Sequence, residues 1–326
     1  MRRSRSSALF LAAAAFAAAP ARAQTTGTVE GGAFLLLPVG ARATALGQAA
    51  AAERGTTEAM FWNPAGLADL KRSEIALHHY AIFAGVGDAF VVAIPAASIG
   101  TFSAAAYVLD YGEIPTNLGP GGTEGSAITR NIALEAGYST ALFGGLTAGL
   151  VYKLIQFRVD CTGSCPANAS FVGTTHAFDF GVQYVLSGVP VELGAVIRNV
   201  GFKLQVNNQQ QADPLPARLQ VGVAWVLVRP PAPDVQSVDV RLLADVQGVI
   251  GQGDLAPTTM FGVESGVHEV LRVRAGYAFL DSQASGPSLG LGVQVGRVGI
   301  DLAKTFYAAD AISERDPFHV SLRLMF

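Results

Sequence analysis

The sequence predicts an all-β fold: a closed antiparallel transmembrane β-barrel of about fourteen strands, with a small N-terminal plug or hatch. Three observations predict it. Half of the 326 residues are hydrophobic and only 14% are charged, against roughly 25% charged in ordinary soluble domains. The apolar residues are spread along the whole chain instead of being gathered in one spanning helix. From Ser73 onward, segments of roughly ten residues alternate apolar with polar or small ones, and turn residues separate them.

The chain opens with a targeting segment. Arg2, Arg3 and Arg5 precede the apolar stretch from Ala8 to Ala19, and Ala21-Arg22-Ala23 fits the small-x-small cleavage rule. Residues 1–23 are therefore expected to be a cleaved signal peptide, with Gln24 as the mature start. Without them, 18 basic residues stand against 25 acidic ones. That balance argues against nucleic-acid binding, which needs positive charge to displace counterions. Val91 to Leu109 is free of charge, but Pro95, Ser98 and Gly100 interrupt it. Membrane residence must come from strands.

Residues 24–72 differ from the remainder of the chain. Small residues dominate Gly40 to Glu53, and Glu58 to Ala68 includes Trp62, Asn63, Pro64, Ala65 and Gly66. Alanine and glycine pack closely against a wall, so this segment is expected to plug the barrel or cross its mouth. Pro64 biases Asn63 toward an extended backbone, and an Asn side chain can satisfy nearby backbone groups.

Residues 73–326 form the expected barrel. Strands are predicted near 73–84, 87–96, 98–111, 127–140, 144–158, 174–186, 190–201, 216–228, 236–247, 259–268, 270–280, 287–297, 298–307 and 317–326. The final segment is the clearest: Phe318, Val320, Leu322, Leu324 and Phe326 alternate with His319, Ser321, Arg323 and Met325. Leu289 to Gly296 places aliphatics at every odd position, with Gly290, Gly292 and Gln294 between them. The same parity puts Glu135, Lys153, Arg218, Asp239, Arg241, Asp245, Arg272, Arg274, Asp301 and Arg323 on lumen faces. These charges are either a salt-bridge network stiffening a narrow barrel or the wall of a polar conduit. Arg130 and Lys304 fall on the lipid face, where a long side chain can snorkel to an interface. Short turns at Phe143-Gly144-Gly145 and Ser187-Gly188-Val189 would face the periplasm. Longer polar links near 112–126, 159–173, 202–215, 248–258 and 308–316 would face outward. A soluble sandwich or propeller also alternates, but its outer faces are polar, whereas here the apolar face is the consistent one.

Reactive constellations are sparse. Gly286-Pro-Ser288-Leu-Gly290 matches the nucleophile-elbow pattern, but a strand and not a helix is expected after it, with no partnered His and acid. His78 and His79 point to opposite faces of a strand. Cys161 and Cys165, in an exported chain, are expected to close a loop tip as a disulfide. A metal would need two further ligands, and only His176 is a candidate. No cofactor and no enzymatic activity are expected.

Two stretches carry a family resemblance. Ala33-Phe-Leu-Leu-Leu-Pro-Val-Gly-Ala-Arg-Ala-Thr-Ala-Leu-Gly47, followed by Phe61-Trp-Asn-Pro-Ala-Gly-Leu67, resembles the start of the PorV/PorQ family of outer-membrane proteins. Asn63-Pro64-Ala65 is also similar to the wider FadL-like fatty-acid transporter group. The resemblance implies a fourteen-stranded barrel with an N-terminal hatch in a bacterial outer membrane. PorV-like members serve a type IX secretion system and engage C-terminal signals of cargo. FadL-like members pass hydrophobic molecules across the membrane, and that is the alternative. Expected partners are outer-membrane lipid, the barrel assembly machinery, and either secretion components and cargo signals or a hydrophobic ligand. Phe326 resembles the terminal aromatic that the assembly machinery reads.

Overall fold

The computed structural model describes residues 30–82, 85–117, 124–165, 169–205, 212–228, 238–251, 257–267, 270–280, 285–306 and 317–326. The expected signal peptide lies outside them. Fourteen strands follow in order: β1 Glu74–Ile82, β2 Gly85–Ala96, β3 Gly100–Asn117, β4 Glu124–Ala141, β5 Leu146–Gly163, β6 Phe171–Val185, β7 Val191–Gly201, β8 Arg218–Val228, β9 Val238–Val249, β10 Thr258–Val267, β11 Leu271–Phe279, β12 Gly286–Val295, β13 Val298–Thr305 and β14 Phe318–Met325. Each pairs antiparallel with its sequence neighbour, and β1 pairs with β14 to close the barrel. At that seam Leu77 faces Leu322 and Tyr80 faces His319. Closure leaves no unpaired edge, the condition lipid imposes on any spanning sheet. An even strand number brings both ends of the barrel chain to one mouth, the terminal mouth. The turns at 97–99, 142–145 and 186–190 share it; the opposite, distal mouth carries residues 202–205 and 212–217, which flank β7 and β8.

The outer wall is apolar. Leu77, Phe90, Phe102, Leu134, Phe180, Val221, Leu291 and Leu322 are all exposed there. On β4 the outward row runs Tyr138, Ala136, Leu134, Ile132 and then Arg130. At the usual rise and tilt of barrel strands that row is about 20 Å tall, close to the hydrophobic height of an outer-membrane barrel. It ends in charge. Arg130 pairs with Asp110 at 2.7 Å, and Arg158, directly opposite Arg130, pairs with Asp160 at 2.7 Å. Lys304, also outward, lies 5.1 Å from the centre of the Phe306 ring. Arg130 thus sits where the apolar row of β4 stops, and Lys304 lies next to the distal end of β13.

Strands β3 to β6 run past their predicted distal ends, so the links expected at 112–126 and 159–173 are partly strand. Beyond the lipid both faces of a strand meet water. The period-two signal fades there while the backbone ladder continues. A bulge between Asp110 and Glu113, with Gly112 at φ 78°, marks the change. The disulfide joins Cys161 to Cys165. Cys161 lies within the distal end of β5 instead of a loop tip, so the bond ties the strand end to the residues just after it.

Candidate functional site

The chain from Glu30 to Leu70 lies inside the barrel. It starts near the distal mouth, where the Gly31 N–H donates to Pro214 O at 2.9 Å and Glu30 pairs with Arg218 at 2.7 Å. Its local elements are single turns: Ala33–Leu36, Ala41–Ala45, Ala59–Trp62 and Pro64–Asp69. Helices that short do not persist alone in water. Here the wall holds them, and small side chains permit the approach. Ala45, Ala49 and Ala51 are fully buried. On the wall, a methyl group at Gly181 would overlap the Asn63 side chain, and one at Gly194 would overlap Ala51 O.

Asn63 is the anchor. Its backbone is extended, at φ −146° and ψ 104°, and its Oδ1 accepts from Ala65 N at 3.1 Å to cap the turn that Pro64 begins. Its Nδ2 donates to Ala51 O at 2.6 Å and reaches Val182 O and Ala195 O on β6 and β7. One side chain thereby joins two parts of the inner segment to two wall strands. Gly66 and Ala65 are buried beside it, and Trp62 Nε1 donates to Val39 O at 2.9 Å.

The lumen has two unlike sides. Inner rows of β1 to β5 mix an apolar cluster with buried polar groups: Tyr80, Val91, Tyr107, Leu109, Val151 and Ile155 pack with Phe34, Met60 and Trp62, while Glu74, His78, Asn131, Glu135 and Lys153 are buried in the same rows. Where the apolar cluster lies, both faces of a strand avoid water, one against lipid and one against the inner segment. The other side, β8 to β14, carries most of the predicted charges. Arg274 holds Glu264 at 2.5 Å and Asp301 at 2.6 Å, and Arg323 also reaches Asp301 at 2.9 Å. Arg241 bridges Glu53 at 2.8 Å and Glu192 at 2.9 Å. Asp245 accepts from Ala51 N and Gln220 Nε2, and Arg272 pairs with Asp239. Arg42 of the inner segment joins Glu53 at 2.7 Å and Glu264 at 3.2 Å.

Glu135 and Lys153 stand apart from that web, directly opposite each other on β4 and β5. Lys153 pairs with Asp179 at 2.7 Å. With Arg198, whose guanidinium lies 4.9 Å from the centre of the Trp62 ring, they form the polar side of a pocket. Leu35, Leu37, Val39, Phe61 and Trp62 form its apolar side. The empty space totals about 310 Å³, part of it open to the lumen. It is narrow, with free room for little more than about one water.

Parity alone places all ten predicted charges inward. It applies equally to Asp179, Arg198 and Glu264, which a complete inward count along β6, β7 and β10 would have found. Arg42, Glu53 and Glu58 lie outside any strand and carried no such signal. Ser288 is buried in β12 and donates to Ala45 O at 3.2 Å, and a strand follows it. His78 points inward to Ser321 at 2.8 Å, while His79 points outward to Asp88 at 2.8 Å. His176 lies on the outer wall against Tyr152, away from the disulfide. Phe326 is on the outer wall, and its N–H donates to Ser73 O at 2.9 Å.

Fold and site define a closed fourteen-stranded barrel whose lumen is occupied by its own N-terminal segment. Solved structures share that fold. The Pseudomonas putida toluene transporter TodX aligns over 88% of this chain and 98% of its own, with a TM-score of 0.56 and 14% identity. The Ralstonia pickettii toluene transporter TbuX aligns over 88% and 98%, with a TM-score of 0.54 and 13% identity. A Pseudomonas aeruginosa FadL homologue aligns over 89% and 99%, with a TM-score of 0.51 and 11% identity. No family model matches the chain, and no curated protein matches it significantly. The chain has the FadL-like barrel fold.

Proposed function

We propose that this protein is a non-enzymatic passage for small hydrophobic molecules across a bacterial outer membrane, with the N-terminal segment as its plug. The observation that carries the reading is the pocket between the inner segment and the wall. It sets Leu35, Leu37, Val39, Phe61 and Trp62 inside a barrel whose wall adds Tyr107, Val151 and Ile155 to the same apolar cluster. A structural salt-bridge web alone would not need this apolar cluster between the segment and the wall. The fold is shared with proteins described as toluene transporters, which favours transport over the secretion role implied by the start of the chain. In this state the pocket is too narrow for a ligand to pass, so passage requires the inner segment to shift. The charge web holds that segment on one side only. On the other side it packs mainly through apolar contacts, with hydrogen bonds from Thr57 to Glu74 and from Tyr107 to Phe34 O, and that is where it can give way.

The test is uptake of radiolabelled toluene by cells that lack their own barrel of this kind. Cells producing the chain, with the folded protein confirmed in the outer-membrane fraction, are expected to take up toluene faster than empty-vector cells. Equal rates would sink the proposal.

A further inference from the structure

We propose that the inner segment has a second task, in assembly: it keys the register in which β1 meets β14 when the barrel closes. This stands apart from the transport reading and holds whether or not the barrel passes a ligand.

The seam between β1 and β14 is the one strand pair of the barrel whose members are not consecutive in the chain. Within a hairpin the turn helps to set the register, and no turn spans this pair. Lipid does not set it uniquely either. A slip of one residue would turn polar side chains outward, but a slip of two keeps every side chain on its own face. In the observed register Leu77 faces Leu322 and His78 faces Ser321. After one such slip Leu77 would face Val320, which is still apolar. Glu74 would then stand directly opposite Arg323, whose Nη1 it meets diagonally at 3.8 Å in the observed register. The wall by itself thus has a workable second register.

The inner segment tells the two apart. On β14, Ser321 Oγ accepts from Ala41 N at 2.8 Å and lies 2.8 Å from His78 Nδ1. On β1, Glu74 Oε1 accepts from Thr57 N at 3.1 Å and from Thr57 Oγ1 at 2.6 Å. These two grips are tied to each other. Glu58, next to Thr57, accepts from Arg42 N at 3.2 Å and Ala43 N at 2.9 Å, next to Ala41. The spacing of the grips is therefore built into the folded segment. A two-residue slip would shift Ser321 relative to Glu74 by about 7 Å along the strands, so the segment could hold one of them and not both. Glu74, His78 and Ser321 are each no more than 2% exposed. Buried polar groups left unpaired by the slip would carry their full desolvation penalty.

Disulfide trapping reads the register. Leu77→Cys with Leu322→Cys reports the observed one, and Leu77→Cys with Val320→Cys reports the slipped one. The chain's own cysteines are already joined to each other. Outer membranes from producing cells are oxidised and run on a denaturing gel without reductant, where a ring closed between β1 and β14 migrates apart from the open chain. With no other change, the first pair is expected to close and the second is not. Ala41→Pro with Thr57→Val removes one N–H and one hydroxyl from the grips, and proline is tolerated in the first turn of a helix. These losses should raise the slipped product about tenfold or more, and deletion of residues 30–70 should raise it at least as far. Asn63→Ala loosens the segment at β6 and β7 but leaves its seam contacts, so the slipped product should stay at the parent's level. A shift in mobility on heating reports which variants are folded, and the double substitution decides the matter if the deletion does not fold. Slipped product at the parent's level in the folded double variant overturns the inference. So does a rise of the same size in Asn63→Ala, which would trace the slip to lost stability instead of lost seam contacts.

Discussion

At the scale of single residues, the inner segment depends most on Asn63. It is fully buried, it caps the turn from Pro64, and its amide nitrogen reaches backbone oxygens on both the segment and the wall. Asn63→Ala strands those groups, and a buried polar group left unpaired costs about 1–3 kcal/mol. Asn63→Asp should be worse than Ala, since a carboxylate would face the same carbonyl oxygens with no proton to donate. Urea unfolding of the detergent-solubilised protein checks both. An Asp variant as stable as the Ala variant would mean that Nδ2 is not the anchoring group. Gly181 is the wall's counterpart: any side chain there meets Asn63 first.

Among the elements, neighbouring strands are held together by buried charge as well as by their ladders. Arg274 on β11 binds Glu264 on β10 and Asp301 on β13, and all three side chains are almost wholly buried. Arg274→Met would leave Glu264 with Arg42 alone and Asp301 with Arg323 alone, a weakening of buried charge that should cost up to about 3 kcal/mol. Adding Glu264→Gln and Asp301→Asn should restore much of it, because the penalty comes from unpaired charge. A triple variant no more stable than Arg274→Met would show that packing of the guanidinium matters more. On the outer face of β4 the same chemistry carries different weight by depth. Leu134→Arg, in the middle of the apolar band, should cost about 2–4 kcal/mol. Arg130→Ala, at the charged distal edge and 43% exposed, should cost less than about 1 kcal/mol. Similar losses at the two sites, measured by folding into lipid vesicles, would place the membrane boundary elsewhere.

For the whole molecule, the central question is what occupies the barrel. Contacts between the segment from Glu30 to Leu70 and the wall fall on both sides of the lumen: apolar packing toward β1 to β5, ion pairs toward β8 to β14. A variant lacking residues 30–70 is expected to conduct ions in planar bilayers, since water would flood a lumen lined by Arg241, Arg274 and Arg323. The full-length protein should stay closed to ions under the same conditions. Equal conductance would mean that the segment does not block the pore.

Local pattern was enough to read the class of fold and the inward position of all ten charges. A strand's parity is a local, two-residue rule, and lipid on one side enforces it at every step along the chain. It also marked Asn63 and Pro64, whose backbone preferences are local. The tertiary structure decided what local rules do not reach. It showed that β3 to β6 continue into water, where alternation is no longer required, and that an apolar cluster on the inner faces of β1 to β5 packs against the inner segment. It also paired Arg42 and Glu53 with partners about two hundred residues away along the chain. The pocket belongs to this second group. Leu37, Trp62, Glu135 and Arg198 come from separate parts of the sequence, and only closure of the barrel around its own N-terminal segment brings them together.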